Sequence, residues 1–206
     1  MTISSTSGAA QQRLRWHLHE LDSTLAVPPA ALDRAAQLER VSRWLRRREQ
    51  TVLVRIARDL VGRCRSLTCA ILELERELAA MTAQIAPALL ELPGCGALTA
   101  AKLLAEIGPI ERFQTDAQLA RHGGVAPLEA SSGRVRRHRL DRGGNRQLNC
   151  ALHRIAVTQA RVHPAARAYL ERKQTEGKSR REAIRCLKRQ LARVVFNTLK
   201  ASPVLT

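Results

Sequence analysis

The chain has 206 residues, and its 35 Lys and Arg against 18 Asp and Glu give a formal net charge of +17 and an isoelectric point near 11.3. That balance concentrates polyanions through counterion release and points to nucleic acid, while no apolar run approaches the ~20 residues that span a bilayer, so no membrane partner is expected. An aromatic content of 2% leaves few platforms for unstacked bases, which favours grip on a duplex backbone over single-strand stacking.

Residues 1–10 are rich in Ser and Thr and lack the basic-then-apolar build of a signal peptide. They read as a disordered tail on a cytoplasmic protein, as do residues 201–206. Residues 11–21 form a short helix with Leu14, Leu18 and Leu21 on one side, broken by Val27, Pro28 and Pro29. A second helix is expected over 30–48, its arginines at 40, 43, 46, 47 and 48 either a solvated face or a nucleic-acid footprint.

From Ala57 the apolar positions Leu60, Cys64, Leu67, Ile71, Leu74, Leu78, Met81 and Ile85 follow in alternating steps of three and four. This predicts one long helix over 51–87 with a heptad seam. A wet seam of that length is unstable, because each buried leucine contributes roughly 1.5–3 kcal/mol. Its partner is either the 30–48 helix of the same chain or a second copy, so residues 11–87 read as a helical coiled-coil region that makes a homo-oligomer.

Residues 88–200 read as a compact helical domain. Leu92-Pro93-Gly94-Cys95-Gly96 separates an apolar helix end from an Ala/Leu helix closed by Gly108, the pattern of a helix-hairpin-helix element. In that pattern the amides around Gly94 and Gly96 and the following helix N-terminus face a DNA phosphate; the alternative is a turn that merely packs. Thr115 and Gln118 make a capping box for a short helix ended by Gly123 and Gly124.

The next stretch is a Gly- and Arg-rich loop, with a short β-hairpin as one of its possible forms. Ser131, Ser132 and Gly133 form its tip, followed by Arg134, Arg136, Arg137, His138, Arg139, Arg142 and Arg146, with Asp141 among them. Guanidinium forks at this density suit phosphate oxygens. Two readings of the tip stand: ordinary turn residues beside a solvated face, or a hydroxyl placed to attack a phosphodiester.

Asn145 caps a helix with Leu148, Leu152 and Ile155 inward, and another helix covers 165–174. Ser179 with Glu182 caps the last helix, which turns Ile184, Leu187, Leu191, Val194 and Leu199 inward and Arg180, Arg181, Arg185, Lys188, Arg189 and Arg193 around the rest. The fold class is therefore mostly all-α. His153 and His163 have no partner at metal-ligand spacing and read as structural. The odd set Cys64, Cys69, Cys95, Cys150 and Cys186 shows no ligand spacing either, so free buried thiols and no metal site are expected.

Four stretches carry a resemblance: LPGCGALTAAKLLAEIG, RFQTDAQLARHGGVAP, SSGRVRRHRLDRGGNRQLN and GKSRREAIRCLKRQLARVVF. They resemble the C-terminal half of transposases of the IS-one-ten insertion-sequence family, relatives of the pilin-gene invertases, over about residues 11–199. The resemblance implies a two-part recombinase. An N-terminal RuvC-like domain holds Mg²⁺ on an acidic tetrad, a coiled coil assembles subunits, and the C-terminal domain supplies a serine that links covalently to DNA. Some members are guided by a structured RNA. By this resemblance the serine before glycine, Ser132, is the nucleophile, with Ser131 the contender, and Arg134, Arg136, Arg137 and Arg139 hold the phosphate. The sequence starts near the coiled-coil region, and Glu106, Asp116, Glu129 and Asp141 lack the paired layout of a two-metal site. No cofactor is expected in the chain itself. The expectation is a DNA-binding transposase fragment inactive without a RuvC-like partner; the alternative is a non-catalytic nucleic-acid-binding and dimerisation protein that modulates a full-length transposase.

Overall fold

A computed structural model describes residues 3–28, 31–129, 138–139, 141 and 143–201. The chain divides into two compact units, Met1–Arg76 and Glu77–Thr206, with the division inside a long helix and ahead of the boundary at 87 read from the sequence.

The first unit holds α1 (Ile3–Leu21), α2 (Ala35–Arg46) and the leading part of α3 (Val52–Ile85). Helix α1 starts well before residue 11, so residues 3–10 are not a tail. The apolar face simply continues in small residues: Ala10 and Ser7 are buried one and two turns ahead of Leu14, and Gln11 donates to the Ser7 hydroxyl at 3.3 Å. Helix α2 begins at Ala35 rather than at 30 and turns Leu38, Val41 and Leu45 inward. Against them α3 sets Val54, Ala57, Val61 and Cys64, with Leu60 and Leu67 partly covered. These steps of three and four are the interlocking ridges of packed helices. The cover does not extend along the whole seam, because Leu74, Leu78 and Met81 are 42%, 36% and 55% exposed.

The second unit is built on α9 (Arg180–Ala201), which packs against α4 (Pro87–Leu90), α6 (Asp116–His122), α7 (Arg146–Val162) and α8 (Pro164–Thr175), while α5 (Ala97–Ile107) lies on α7. Its core joins Leu89, Leu103, Ile107, Leu119, Leu148, Leu152, Ile155, Leu187, Leu191 and Leu199. The inward residue late in α9 is Val195, and Val194 is 39% exposed, a correction to the expected register. Val195 lies one full turn from both Leu191 and Leu199, so it continues their stripe and Val194 does not.

Capping sets the helix starts. Asn145 Oδ1 accepts from the amides of Gln147 and Leu148, each at 2.9 Å. Ser179 and Glu182 form a reciprocal box, the Ser179 amide donating to the Glu182 carboxylate at 2.9 Å and the Glu182 amide to the Ser179 hydroxyl at 3.4 Å. Thr115 caps α6 through the Gln118 amide, but the Gln118 side chain reaches one residue further back, to the Gln114 amide at 2.7 Å. The chain is mostly all-α; its one described ladder pairs β1 (Leu128–Glu129) with β2 (His138–Arg139) antiparallel, Leu128 opposite Arg139. No described helix is long and apolar enough to cross a membrane. Cys64 and Cys95 are buried free thiols, and burial pushes the Cys95 thiol up to about 11. Cys69 and Cys150 are exposed, contrary to expectation, because each falls off the inward stripe of its helix.

Candidate nucleic-acid interface and the foot of the serine loop

Helix α6 stops because the chain turns left-handed at Gly124, where φ is +62°. The Gly124 amide donates to Arg121 O at 3.0 Å, and the Val125 and Ala126 amides return to Ala120 O at 2.9 and 3.1 Å. The chain then enters β1. On the return side, Asp141 accepts from the Gly143 amide at 2.9 Å and faces Arg121 at 3.6 Å.

The two sides meet backbone to backbone. A Cβ on Gly144 would sit 2.2 Å from Gly124 N and 2.3 Å from its Cα, so only glycine admits this approach. The Asn145 amide donates to His122 O at 2.6 Å. Asn149 secures the joint from α7, its Nδ2 donating to Gly123 O at 2.9 Å and Gly124 O at 3.1 Å. With the amide so oriented, Asn149 Oδ1 faces Lys188 and accepts from its Nζ.

Lys188 is only 6% exposed, although the α9 pattern placed it on the outside. Burial pushes its amine below the ordinary lysine range, with the Cys150 thiol acting against that shift and Arg185 along with it. The same burial, followed by the Lys188 charge, pushes the His153 imidazole down. Asn149 is thus a functional candidate that sequence reasoning missed, and Lys188, read from the sequence as one of the outward basic residues of the last helix able to touch phosphates, is buried instead. A polar residue beside an inward stripe was the only available signal, and it does not separate a buried lysine from a solvated one.

Ser131, Ser132, Arg134, Arg136, Arg137 and Arg142 lie outside the described residues. Arg139 belongs to β2, and Arg146 opens α7 with its side chain exposed. The described foot therefore carries the residues that flank this stretch on both sides. At the hairpin, Gly94 has φ +83° and its Cα faces α7: a Cβ there would meet Thr158 Cβ at 2.9 Å and Ile155 O at 3.2 Å. Packing within the chain accounts for this glycine. Gln159, buried on α7, donates to Pro93 O at 2.8 Å and fixes the same turn. Gly96 differs, for it caps the N-terminus of α5 with open space where a Cβ would point.

The carboxylates are held apart. Glu106 accepts from Asn145 Nδ2 at 2.7 Å, Asp116 pairs with Arg189 at 2.8 Å, Asp141 holds the loop foot, and Glu129 belongs to β1. Among the described residues no three His, Cys, Asp or Glu side chains gather to hold a metal ion. The Mg²⁺ implied by the resemblance does not fit these carboxylates.

Residues 86–171, from the start of α4 through the serine loop into α8, match the model described as the transposase IS116/IS110/IS902 family. The insertion element IS110 uncharacterized 43.6 kDa protein of Streptomyces coelicolor is 35% identical over 162 residues, covering 74% of this chain and 40% of that protein. The insertion element IS900 uncharacterized 42 kDa protein of Mycobacterium paratuberculosis is 32% identical over 114 residues, 54% of this chain and 29% of its own length. The chain spans less than half the length of these curated relatives. On the strength of the family match and both relatives, the helical unit that carries the serine loop is similar to the transposases of the IS116/IS110/IS902 family.

Proposed function

We propose that this chain binds DNA and supplies the serine nucleophile for transposition. The observation that carries the reading is the family match over 86–171, which spans the Pro-Gly hairpin, the loop foot and the whole arginine-rich loop. In the proposed chemistry Ser132 Oγ attacks a phosphodiester in line, forming an Oγ–P bond as the bond to the leaving deoxyribose oxygen breaks and that oxygen takes up the proton the serine hydroxyl gives up. Arg134, Arg136, Arg137 and Arg139 offset the charge on the phosphoryl oxygens. The clamp of Gly124, Gly144 and Asn149 sets where the loop leaves the helical core. Metal ligation is assigned to a RuvC-like domain, and no step in these residues runs through a metal. The hairpin contributes a further phosphate contact, through Gly96 and the N-terminus of α5. A structured guide RNA is a second polyanion that the same basic faces suit.

Duplex binding tests the polyanion half of this reading. Affinity is expected to fall steeply between low and moderate salt, and Arg136→Ala with Arg137→Ala to weaken binding on every sequence and reduce the log–log salt slope by about 1–2. Ser132→Ala is expected to bind as the wild type does. A flat salt response would reduce the basic face to a solubility device.

The second reading, a non-catalytic nucleic-acid-binding and dimerisation protein that modulates a full-length transposase, draws on the exposed seam of α3. Leu74, Leu78 and Met81 continue the spacing of the buried residues yet are open in one chain, as the seam of a coiled coil between copies would be. Both readings include this assembly. Light scattering at micromolar concentration is expected to give at least a dimer, and Leu74→Glu with Leu78→Glu to convert it to single chains. A wild-type mass of one chain would rule the assembly out.

A further inference from the structure

Beside the loop foot lies an open cleft of about 850 Å³, walled by Gly124 to Pro127 and Asp141 on one side and by α8 and α9 on the other. That volume suits a phosphodiester with its flanking sugars. The floor carries Lys188, more than nine-tenths buried.

The other charged side chains around the cleft have ion-pair partners within the chain. Glu176 takes Lys173 at 2.7 Å and Lys178 at 3.3 Å, Glu182 faces Arg185 at 3.8 Å, and Arg189 is held by Asp116 at 2.8 Å. Asp141 faces Arg121 and accepts from the Gly143 amide. Among the described residues no carboxylate lies within ion-pair distance of Lys188, whose one described hydrogen bond runs to the neutral amide of Asn149. An ammonium has three N–H donors, so two are left for another acceptor. A buried cation without a counter-ion is costly, and an anion entering the cleft would remove that cost.

We propose that this cleft is a phosphodiester-binding site in its own right, in which Lys188 takes a backbone phosphate of the bound nucleic acid. The proposal rests on the nucleic-acid reading above and adds a site to it that lies outside the arginine-rich loop. It also gives the phosphate a route to the loop. Lys188 holds Asn149 Oδ1, and Asn149 holds the Gly123 and Gly124 carbonyls, so a phosphate seated on Lys188 bears on the joint from which the serine loop springs.

Two measurements on the full chain test it. In duplex titrations over a range of salt, Lys188→Gln, which keeps a donor for Asn149, is expected to bind about tenfold more weakly at low salt with a log–log slope smaller by about 0.9, whereas Lys188→Arg keeps the wild-type slope. An unchanged slope in a folded Lys188→Gln protein would overturn the site and leave the nucleic-acid reading standing; a flat response in the wild type would end both. Reductive methylation of the unmutated chain, read by mass spectrometry, needs no variant to fold. Duplex is expected to slow modification of Lys188 severalfold, and inorganic phosphate at the same phosphate concentration to leave it unchanged. Equal rates with and without duplex, or protection by inorganic phosphate alone, would overturn the proposal.

Discussion

Gly144→Ala is expected to be the most damaging single methyl group in this chain. Its Cβ would be driven to within 2.2 Å of Gly124 N and 2.9 Å of Gly123 C, both backbone atoms that no rotamer change can move. Gly124 cannot yield easily, because its left-handed turn, the carbonyl clamp from Asn149 and the bond from the Asn145 amide to His122 O fix it on three sides. Overpacking of a well-packed site costs typically 1–3 kcal/mol, and a backbone-on-backbone clash belongs at or above the upper end, about 3 kcal/mol or more. Gly143→Ala is the control, since among the described residues its Cβ would meet Asp141 Oδ1 alone, at an ordinary 3.5 Å. Urea denaturation followed by circular dichroism should show a clear fall in midpoint for Gly144→Ala and almost none for Gly143→Ala. Equal behaviour of the two would mean that the loop foot is not closed as described.

The helices were largely legible in the sequence because their signals are local. Asn145, Thr115 and the Ser179–Glu182 box cap helices where expected, and the early part of the α3 seam packs within its unit. What escaped was set by tertiary neighbours. The inward face of α1 continues through Ser7 and Ala10, residues too small to register as an apolar stripe, so its first turns looked like a tail. Lys188 follows the inward Leu187 in α9, and its burial, with Asn149 of α7 as its hydrogen-bond partner, is set by tertiary neighbours.

The glycines show the same division. The turn glycines at 94 and 124 were legible as turns, but the groups that crowd Gly94 and Gly144, the chain's own α7 and its own backbone, were not. Periodicity cannot show these. The role of Ser132 is further still from such signals, for two serines at a loop tip are common turn chemistry, and their assignment here follows from the resemblance.

Covalent capture tests that assignment most directly. Attack by Ser132 Oγ leaves the chain esterified to a DNA phosphate, a bond that survives denaturation, whereas every salt-dependent contact is lost. With a labelled duplex and Mg²⁺ but no partner domain, no adduct above background is expected. Supplied with a family-matched RuvC-like domain in trans, the wild type and Ser131→Ala are expected to give a labelled band on a denaturing gel, and Ser132→Ala none. A band that persists in Ser132→Ala and vanishes in Ser131→Ala would move the nucleophile by one residue; a band that survives replacement of both serines would contradict the serine mechanism outright.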